Sequence, residues 1–263
     1  IHERTLREYQ IESKLPSAIE SGEIKIHFQP VVDSGKGQIV GFEALARWQD
    51  DELGQLPPAE FVRIATASGH IGALTLMVLR LACDAFRPYL QLPSSPYVAV
   101  NVSVSDLYGE CFPDTLMSIL EEEGIPPQRL VLEVTEDMLL GDTATVTAAL
   151  ARLRDNGVRI AIDDFGTGYS SMSYLSSHMV NIIKIDQSFV RRIVTKESDQ
   201  KIVRAIVSMA ADLELSVITE GVETEAQLQF LYRHDCAMAQ GFLLSRPLPV
   251  GQLQAWLAQD GDQ

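Results

Sequence analysis

The sequence predicts an α/β fold, a TIM-like (β/α)8 barrel, on three observations. Eight short runs rich in Val and Ile alternate with longer segments of helical periodicity. The 263 residues are the length that one barrel of this kind requires. Nearly every run also ends in a polar residue that a buried strand does not need; in chain order these are Gln29, Glu43, Asn101, Glu133, Asp163, Lys184, Glu220 and Gln240. A barrel gathers the carboxyl ends of its strands on one face, whereas the alternative, a doubly wound open sheet, spreads them along an edge.

The strand candidates are bounded by turn residues or charges, as strands are. In order they read IKIHFQPVV, IVGFEALARW, YVAVNVS, RLVLEVTE, VRIAIDD, VNIIKID, LSVITEG and CAMAQGF. Segments with apolar residues at helical spacing lie between them, at 59–90 with a break near Gly69, then at 114–123, 143–156, 198–213, 224–233 and 250–258. Gly124 and Gly157 follow the last periodic residue of their segments, where a helix C-cap is expected.

The charge balance excludes one class of partner. The chain has 21 basic and 36 acidic side chains and a formal net charge of -15. Binding to polymeric nucleic acid is therefore not expected, because phosphate backbones are held by an excess of Lys and Arg. No apolar run reaches the ~20 residues of a membrane span, so we expect no membrane contact by this domain. The three widely spaced cysteines favour reduced thiols and a cytoplasmic location, including as the cytoplasmic part of a larger protein.

The beginning of the sequence is charged throughout and has neither an initiator Met nor an apolar signal segment. We therefore expect residues 1–14 to be a helix or linker from an upstream regulatory domain. Residues 15–258 are expected to form the barrel, and residues 259–263 a short tail.

The strongest chemical signal is the segment IAIDDFGTGYSS, in which Asp163 and Asp164 follow an apolar strand and precede a glycine-rich turn. Two carboxylates side by side repel unless a cation neutralises them, and hard oxygen ligands select Mg²⁺ or Mn²⁺. An exposed turn is the plain alternative. A dinucleotide-binding loop is disfavoured, because Ser171 stands at the third glycine position and the two acids would repel a pyrophosphate.

Five strands each end in an acid or an Asn, which extends this argument to a binding site for two cations. Two metal ions are the usual arrangement for activating a water molecule that attacks phosphorus. Lys184 shares a strand face with Asp186, and either a structural ion pair or a role at the attacking water would explain it. Arg47 shares a face with Glu43 and could either clamp a phosphate or pair with the acids.

Eight motifs together resemble the EAL-domain family of cyclic di-GMP phosphodiesterases: FQPVV, FEALARW, NVSVSDL, LEVTED, DDFGTGYSS, IKIDQSFV, TEGVET and QGFLLSRPL. They stand in the family's order and spacing from about Leu15 to Leu248, and the ordered set is highly specific. The resemblance implies a barrel whose first strand is antiparallel to the others. It also implies a homodimer that hydrolyses cyclic di-GMP to linear pGpG with two Mg²⁺ or Mn²⁺ ions per site, with Ca²⁺ inhibitory.

The resemblance further implies a role for each matching residue. The implied metal ligands are Glu43, Asn101, Glu133, Asp163, Asp164 and Glu220. Lys184 would contact the attacking water, and the catalytic set would comprise Glu43, Asp163, Asp164, Lys184 and Glu220. The expected substrate-binding residues are Gln29, Arg47, Asp186, Glu223 and Gln240. Glu136 would anchor the regulatory loop at 165–171, which contains Gly166, Thr167 and Gly168. Whether Lys184, Glu220 or the metals alone deprotonate the water stays open.

Two other functions remain as alternatives. The first is a receptor or docking module that binds cyclic di-GMP, or a protein partner, without hydrolysing it. The second is a barrel metallohydrolase that acts on another phosphodiester. The chain keeps every acid, the lysine and the glycine loop of the motif set, which favours an active enzyme.

Overall fold

The computed structural model describes residues 2–139, 143–167, 175 and 179–260. Its strands are β1 Ile24–Asp33, β2 Ile39–Asp50, β3 Gly54–Leu56, β4 Tyr97–Asn101, β5 Leu130–Thr135, β6 Arg159–Phe165, β7 Ile182–Ile185, β8 Ser216–Thr219, β9 Met238–Ala239 and β10 Leu248–Pro249. Within this described part, the sheet closes on itself because β1 pairs with both β2 and β9. The closed ring contains all eight predicted strands, so the barrel is confirmed. The two short strands β3 and β10 were not predicted.

Helices cover the outside of the barrel. They are α1 His2–Ser21, α2 Pro58–Ala67, α3 Ile71–Phe86, α4 Val104–Leu107, α5 Phe112–Glu123, α6 Thr143–Asp155, α7 Gln187–Val190, α8 Glu197–Asp212, α9 Glu225–Arg233 and α10 Val250–Asp260. The predicted break near Gly69 falls between α2 and α3. Gly124 caps α5 with a left-handed backbone, at φ 68° and ψ 30°, as its position after the periodic segment predicts.

The first strand runs against its neighbours, as the family resemblance implies. β1 pairs antiparallel with β2, with Gln29 opposite Glu43, and it is also antiparallel to β9 and β10. From β2 through β4 to β9, successive strands of the ring are parallel. The interpretation of Gln29 and Glu43 as strand ends is therefore wrong. Both lie inside long strands, and Gln29 comes to the level of Glu43 because antiparallel pairing sets it there.

The interior of the barrel is narrow and filled by one residue row per strand, because alternate residues of a strand face the same side. The interior cluster is Val31, Tyr97, Ala99, Val131, Ala161, Ile182 and Ile218. A larger apolar layer lies between the sheet and the helices. At one mouth of the barrel, the inward rows continue beyond the apolar layer into polar residues, namely Gln29, Asn101, Glu133, Asp163, Lys184 and Glu220.

The helix α1 packs on the barrel. Ile11 and Leu15, on either side of the predicted domain boundary at residue 14, are both fully buried in the outer apolar layer. The helix runs without interruption across that boundary. That boundary stays a prediction. None of the helices in the described ranges combines the length and apolar character that crossing a membrane requires.

Candidate active site

A buried lysine lies at the centre of the carboxyl-end mouth. Lys184 Nζ is 2.7 Å from Glu220, 2.9 Å from Glu133, 3.1 Å from Asp163 and 3.6 Å from Glu43. Its side chain is only 1% exposed. We call the five carboxylates around it the acidic rim, namely Glu43, Glu133, Asp163, Asp164 and Glu220. The alternative prediction of a structural ion pair between Lys184 and Asp186 is wrong. In the described residues, Lys184 forms its ion pairs with carboxylates of the rim.

The strands deliver these side chains by simple alternation. Asp163 lies two residues beyond the interior Ala161, and Glu133 lies two residues beyond Val131. Lys184 follows Ile182 in the same way. The charged groups therefore form the next layer of the same inward rows, directly beside the apolar interior cluster.

Amide side chains hold the rim in position. Asn101 Nδ2 donates to Glu43 Oε1 and to Glu133 Oε2, both at 3.2 Å. Gln240 Nε2 donates to Glu43 Oε2 at 2.6 Å and to Gln29 Oε1 at 3.1 Å. Gln29 Nε2 in turn donates to the carbonyl of Ser245, at 3.2 Å. Glu43 thus has both carboxylate oxygens oriented by neutral donors.

A backbone irregularity lets two adjacent aspartates reach one site. In a regular strand, Asp163 and Asp164 would face opposite sides of the sheet. The register between β6 and β7 shifts between Ile162 and Phe165, and Asp164 has a φ of 53°. This left-handed bulge turns Asp164 back toward the rim, and its amide donates to Asp163 Oδ1 at 3.0 Å. As a result, oxygens of Asp163, Asp164 and Glu220 all lie within 4.8 Å of one another.

Burial and mutual repulsion raise the pKa of two acids of the rim, Glu220 and Asp164. Burial raises the pKa of Glu220 to about 8, with repulsion from Asp163 adding to the shift and Lys184 opposing it. Burial also raises the pKa of Asp164 to about 6, with Asp163 and Asp186 adding to the shift. Near neutral pH, a cation that binds these carboxylates therefore competes with protons.

The pKa values of Glu133 and Glu43 shift in opposite directions. Burial, reinforced by Glu43, holds the pKa of Glu133 well above its usual range. Burial alone would raise the pKa of Glu43. The charge of Lys184 and the hydrogen bonds from Gln240 and Asn101 outweigh burial, so the pKa of Glu43 is lowered. Burial lowers the pKa of Lys184, but the surrounding carboxylates raise it more, and the net shift is well upward. Lys184 therefore stays charged.

The donor set fits two hard divalent cations. When ionised, the acidic rim and Lys184 together carry a net charge of minus four, which two divalent ions would cancel. The donors are carboxylate oxygens, with an amide beside them and no thiol or imidazole among them, which is the chemistry of Mg²⁺ and Mn²⁺ sites. Gln240 Oε1 is also buried without a hydrogen-bond partner in the described residues, so a donor at this mouth would satisfy it.

The cavity at this mouth has a volume of about 270 Å³, and its lining includes Gln29, Glu43, Asp163, Glu220, Glu223 and Gln240. Arg47 lies elsewhere, in a neighbouring cavity with His27 and Trp48, and it donates to the carbonyl of Ala46 at 2.8 Å. Asp186 caps α7 by accepting from the Ser188 amide at 3.0 Å. The substrate roles of all these residues stay predictions.

The predicted loop anchor has a matching contact. The buried Glu136 accepts a hydrogen bond from the Gly166 amide at 3.1 Å. Gly166 has a φ of 94°, and a Cβ there would lie 3.1 Å from the Phe189 ring, so the turn needs glycine. Thr167 closes the turn by donating to the Asp164 carbonyl. Gly168 and the rest of the predicted loop, 169–171, lie outside the described residues.

Some lining residues were not singled out from the sequence: Leu45, Gln187, Gly221, Gly241 and Phe242. Phe242 is 50% exposed, and the Arg246 guanidinium lies 4.3 Å from its ring centroid. An aromatic residue two positions after Gln240, in the motif QGF, is the signal that could have identified it.

Comparison with known proteins places this geometry in context. Residues 12–247 match the EAL domain family. The cyclic di-GMP phosphodiesterase NbdA of Pseudomonas aeruginosa is 40% identical over 255 residues, which make up 97% of this chain and 33% of that protein. MucR of the same organism, a bifunctional diguanylate cyclase/cyclic di-GMP phosphodiesterase, is 38% identical over 250 residues, or 95% of this chain and 36% of MucR. The chain thus spans about a third of the length of these relatives.

Solved structures agree with the sequence comparison. The PaMucR phosphodiesterase in complex with c-di-GMP has a TM-score of 0.88 at 38% identity, covering 93% of this chain and 99% of that one. The EAL enzyme Bd1971, in its cAMP and cyclic-di-GMP bound form, has a TM-score of 0.89 at 27% identity, covering 96% of this chain and 69% of that one. With the family match over most of its length and the acidic rim in place, this chain belongs to the EAL domain family.

Proposed function

We propose that this chain is a phosphodiesterase that hydrolyses cyclic di-GMP to linear pGpG, with two Mg²⁺ or Mn²⁺ ions. The observation that carries the proposal is the complete acidic rim around Lys184, three of whose acids, Glu43, Asp163 and Glu220, line the cavity at this mouth. Relatives that share the fold support the substrate, since NbdA and MucR are named as cyclic di-GMP phosphodiesterases.

The reaction requires water to attack phosphorus while the bond to the ribose 3′ oxygen breaks. The new phosphorus–oxygen bond leaves a 5′-phosphate, and the departing 3′ oxygen takes up a proton. Divalent cations held by the acidic rim would lower the pKa of the attacking water and neutralise charge on the phosphate. The ions would also allow an anionic substrate to approach an acidic mouth.

The residues of the chain then have separate tasks. Lys184 is fixed by several carboxylates at once, so its ammonium group can hold the attacking water or a phosphate oxygen without reorganising. Gln240 and Asn101 keep Glu43 ionised and oriented. Glu220 lines the cavity and lies 2.7 Å from Lys184, so its ionised carboxylate is placed to accept a proton from water held by the lysine.

Three further expectations belong to the same proposal. A homodimer, an upstream regulatory domain and a cytoplasmic location remain predictions from the family resemblance and the sequence. The curated relatives are about three times the length of the matched segment, so they contain sequence beyond this domain.

The test is turnover of cyclic di-GMP by the 263-residue chain, measured as pGpG formation. We expect product with Mg²⁺ or Mn²⁺, none with EDTA and little with Ca²⁺. Glu43→Gln keeps the shape of the side chain but removes a charged ligand, and we expect a loss of at least about a hundredfold. Glu121→Gln changes the same charge on the exposed surface of α5 and serves as the matched control.

The outcomes separate the candidate functions. Metal-dependent turnover that is lost in Glu43→Gln and kept in Glu121→Gln supports the proposal. Tight binding of cyclic di-GMP without turnover under every metal condition would instead identify a receptor. Turnover of other cyclic dinucleotides in preference to cyclic di-GMP would identify a phosphodiesterase of different specificity.

A further inference from the structure

A second cavity lies at the opposite mouth of the barrel, where the amino ends of the strands meet. Its volume is about 520 Å³, within the usual range for small-ligand pockets. Val40, Ile182 and Met238 form an apolar side, and Ser216 adds a hydroxyl. This mouth is separate from the acidic rim, because Asp163 lies four residues beyond Arg159 on the same strand, a distance of about 13 Å.

Arg159 and Tyr97 form the floor of this cavity. Both belong to inward rows, since Arg159 lies two residues before the interior Ala161 and Tyr97 two before the interior Ala99. The Arg159 guanidinium lies 4.7 Å from the centroid of the Tyr97 ring. Tyr97 is 3% exposed, and neither its hydroxyl nor Arg159 Nε has a hydrogen-bond partner among the described residues.

A second arginine converges on the same space. Arg129 lines the cavity and is held at its edge by the backbone, donating to the carbonyls of Ser95 and Pro96. In the described part of the chain, no carboxylate lies within ion-pair distance of Arg129 or Arg159, although other arginines of this acidic protein do form such pairs. Two guanidinium groups therefore line a cavity without a counter-charge, and the unsatisfied hydroxyl of Tyr97 is buried beside it.

We propose that this amino-end cavity is a binding site for a small organic phosphate. Guanidinium groups present planar paired donors that match phosphate oxygens, and Arg129 and Arg159 supply two of them. The apolar side formed by Val40, Ile182 and Met238 suits the organic part of the ligand, which free phosphate would leave unfilled. The site does not depend on hydrolysis at the other mouth, because none of its residues belongs to the acidic rim.

Calorimetric titration of the 263-residue chain tests the proposal. The buffer contains neither divalent metal nor phosphate, so the acidic rim repels anions. The probes are adenosine 5′-monophosphate, inorganic phosphate and uncharged adenosine. We expect one equivalent of adenosine monophosphate to bind with a dissociation constant of about millimolar or tighter, and adenosine to bind at least about tenfold more weakly.

Two variants should remove this binding by different routes. Arg159→Gln removes one guanidinium, and Ser216→Asp places a carboxylate at an exposed position of the cavity wall. Each should weaken binding by about tenfold or more. Arg204→Gln, on the exposed face of α8, changes the net charge equally and should leave the affinity unchanged. Arg159 packs on Tyr97, so its replacement can destabilise the fold. If the melting temperature of Arg159→Gln falls, Ser216→Asp is the variant that decides the test.

Several results would overturn the proposal. One is the absence of phosphate-dependent binding by the unaltered chain, which would mean a cavity filled only by water. Another is unchanged affinity in folded Ser216→Asp. A third is a changed affinity in Glu43→Gln, in either direction, which would place the probe at the acidic rim. Since the titration needs neither metal nor turnover, its result is independent of the phosphodiesterase test.

Discussion

Replacing Lys184 with methionine should destabilise the metal-free protein in a manner that depends strongly on pH. Lys184→Met keeps the length of the side chain but removes the charge around which four carboxylates are arranged. The variant leaves those acids buried together with no compensating cation. Removing one partner of a buried ion pair typically costs about 3–5 kcal/mol, and we expect a loss of that size at pH about 8.

The loss should shrink at lower pH. Burial holds the pKa of Glu133 well above its usual range and raises that of Glu220 to about 8, so both bind protons as the pH falls. A raised carboxyl pKa favours folding below the unfolded value, and that contribution is lost as pH rises through the folded value. Lys184 has a raised pKa and stays charged throughout this window, so the pH dependence comes from its partners. At pH about 5 we expect the variant to lose only about 1–2 kcal/mol.

The assay is urea unfolding of the unaltered chain and Lys184→Met at both pH values, with EDTA present. Lys201→Met is the control, because Lys201 forms an exposed ion pair with Glu197 at 2.8 Å, for which we expect a loss below about 1 kcal/mol. An equal loss for Lys184→Met at both pH values would refute the reasoning. So would a loss at the higher pH no larger than that of the control.

Three further predictions concern the bulge at Asp164, the packing of Gly41 against Tyr97 inside the barrel, and metal affinity. Because Asn accepts a left-handed backbone more readily than Ala, Asp164→Asn should be about 1 kcal/mol more stable than Asp164→Ala by urea unfolding; equal stabilities would contradict the role of its φ of 53°. Gly41→Ala would place a Cβ 2.3 Å from the Tyr97 ring and should cost about 1–3 kcal/mol or more, whereas Gly72→Ala, whose Cβ would meet nothing closer than 3.5 Å, should be neutral or stabilising in the same assay. Since protons on Asp164 (pKa about 6) and Glu220 (pKa about 8) must leave before a cation binds, the apparent Mn²⁺ affinity should rise across this pH range in calorimetric titrations, and a flat profile would exclude this competition.

The sequence was sufficient for the barrel and for the membership of its rim. The prediction rested on polar residues at the ends of apolar runs and on the family resemblance, and in the structure Asn101, Glu133 and Asp163 each extend an inward apolar row. Those side chains do meet at one mouth in the structure. The antiparallel first strand came only from the family resemblance, because alternation within a strand is the same in either direction.

The details that depend on non-local packing could not be predicted. No local pattern shows that Lys184 has rim carboxylates as its ion-pair partners instead of the nearby Asp186. The turning of Asp164 toward Asp163 depends on a bulge, and the sequence DDFG alone does not reveal which residue takes a positive φ. The arginines of the amino-end cavity were also missed, because Arg129 and Arg159 come together only when the barrel closes.

The reversed first strand has a consequence for the order of folding. β1 and β2 form a hairpin of nine residue pairs that needs no other part of the chain, so it can form early. The other edge of β1 is held by two short pairings, with β9 and with β10. Between these pairings, Gln240 bonds to Gln29 across 211 positions of sequence. We expect this seam to close last and to open first, so amide hydrogens along β9 should exchange faster than those of β5 and β6. Each such opening would separate Gln29 from Gln240, and the active site would come apart while most of the fold remains intact.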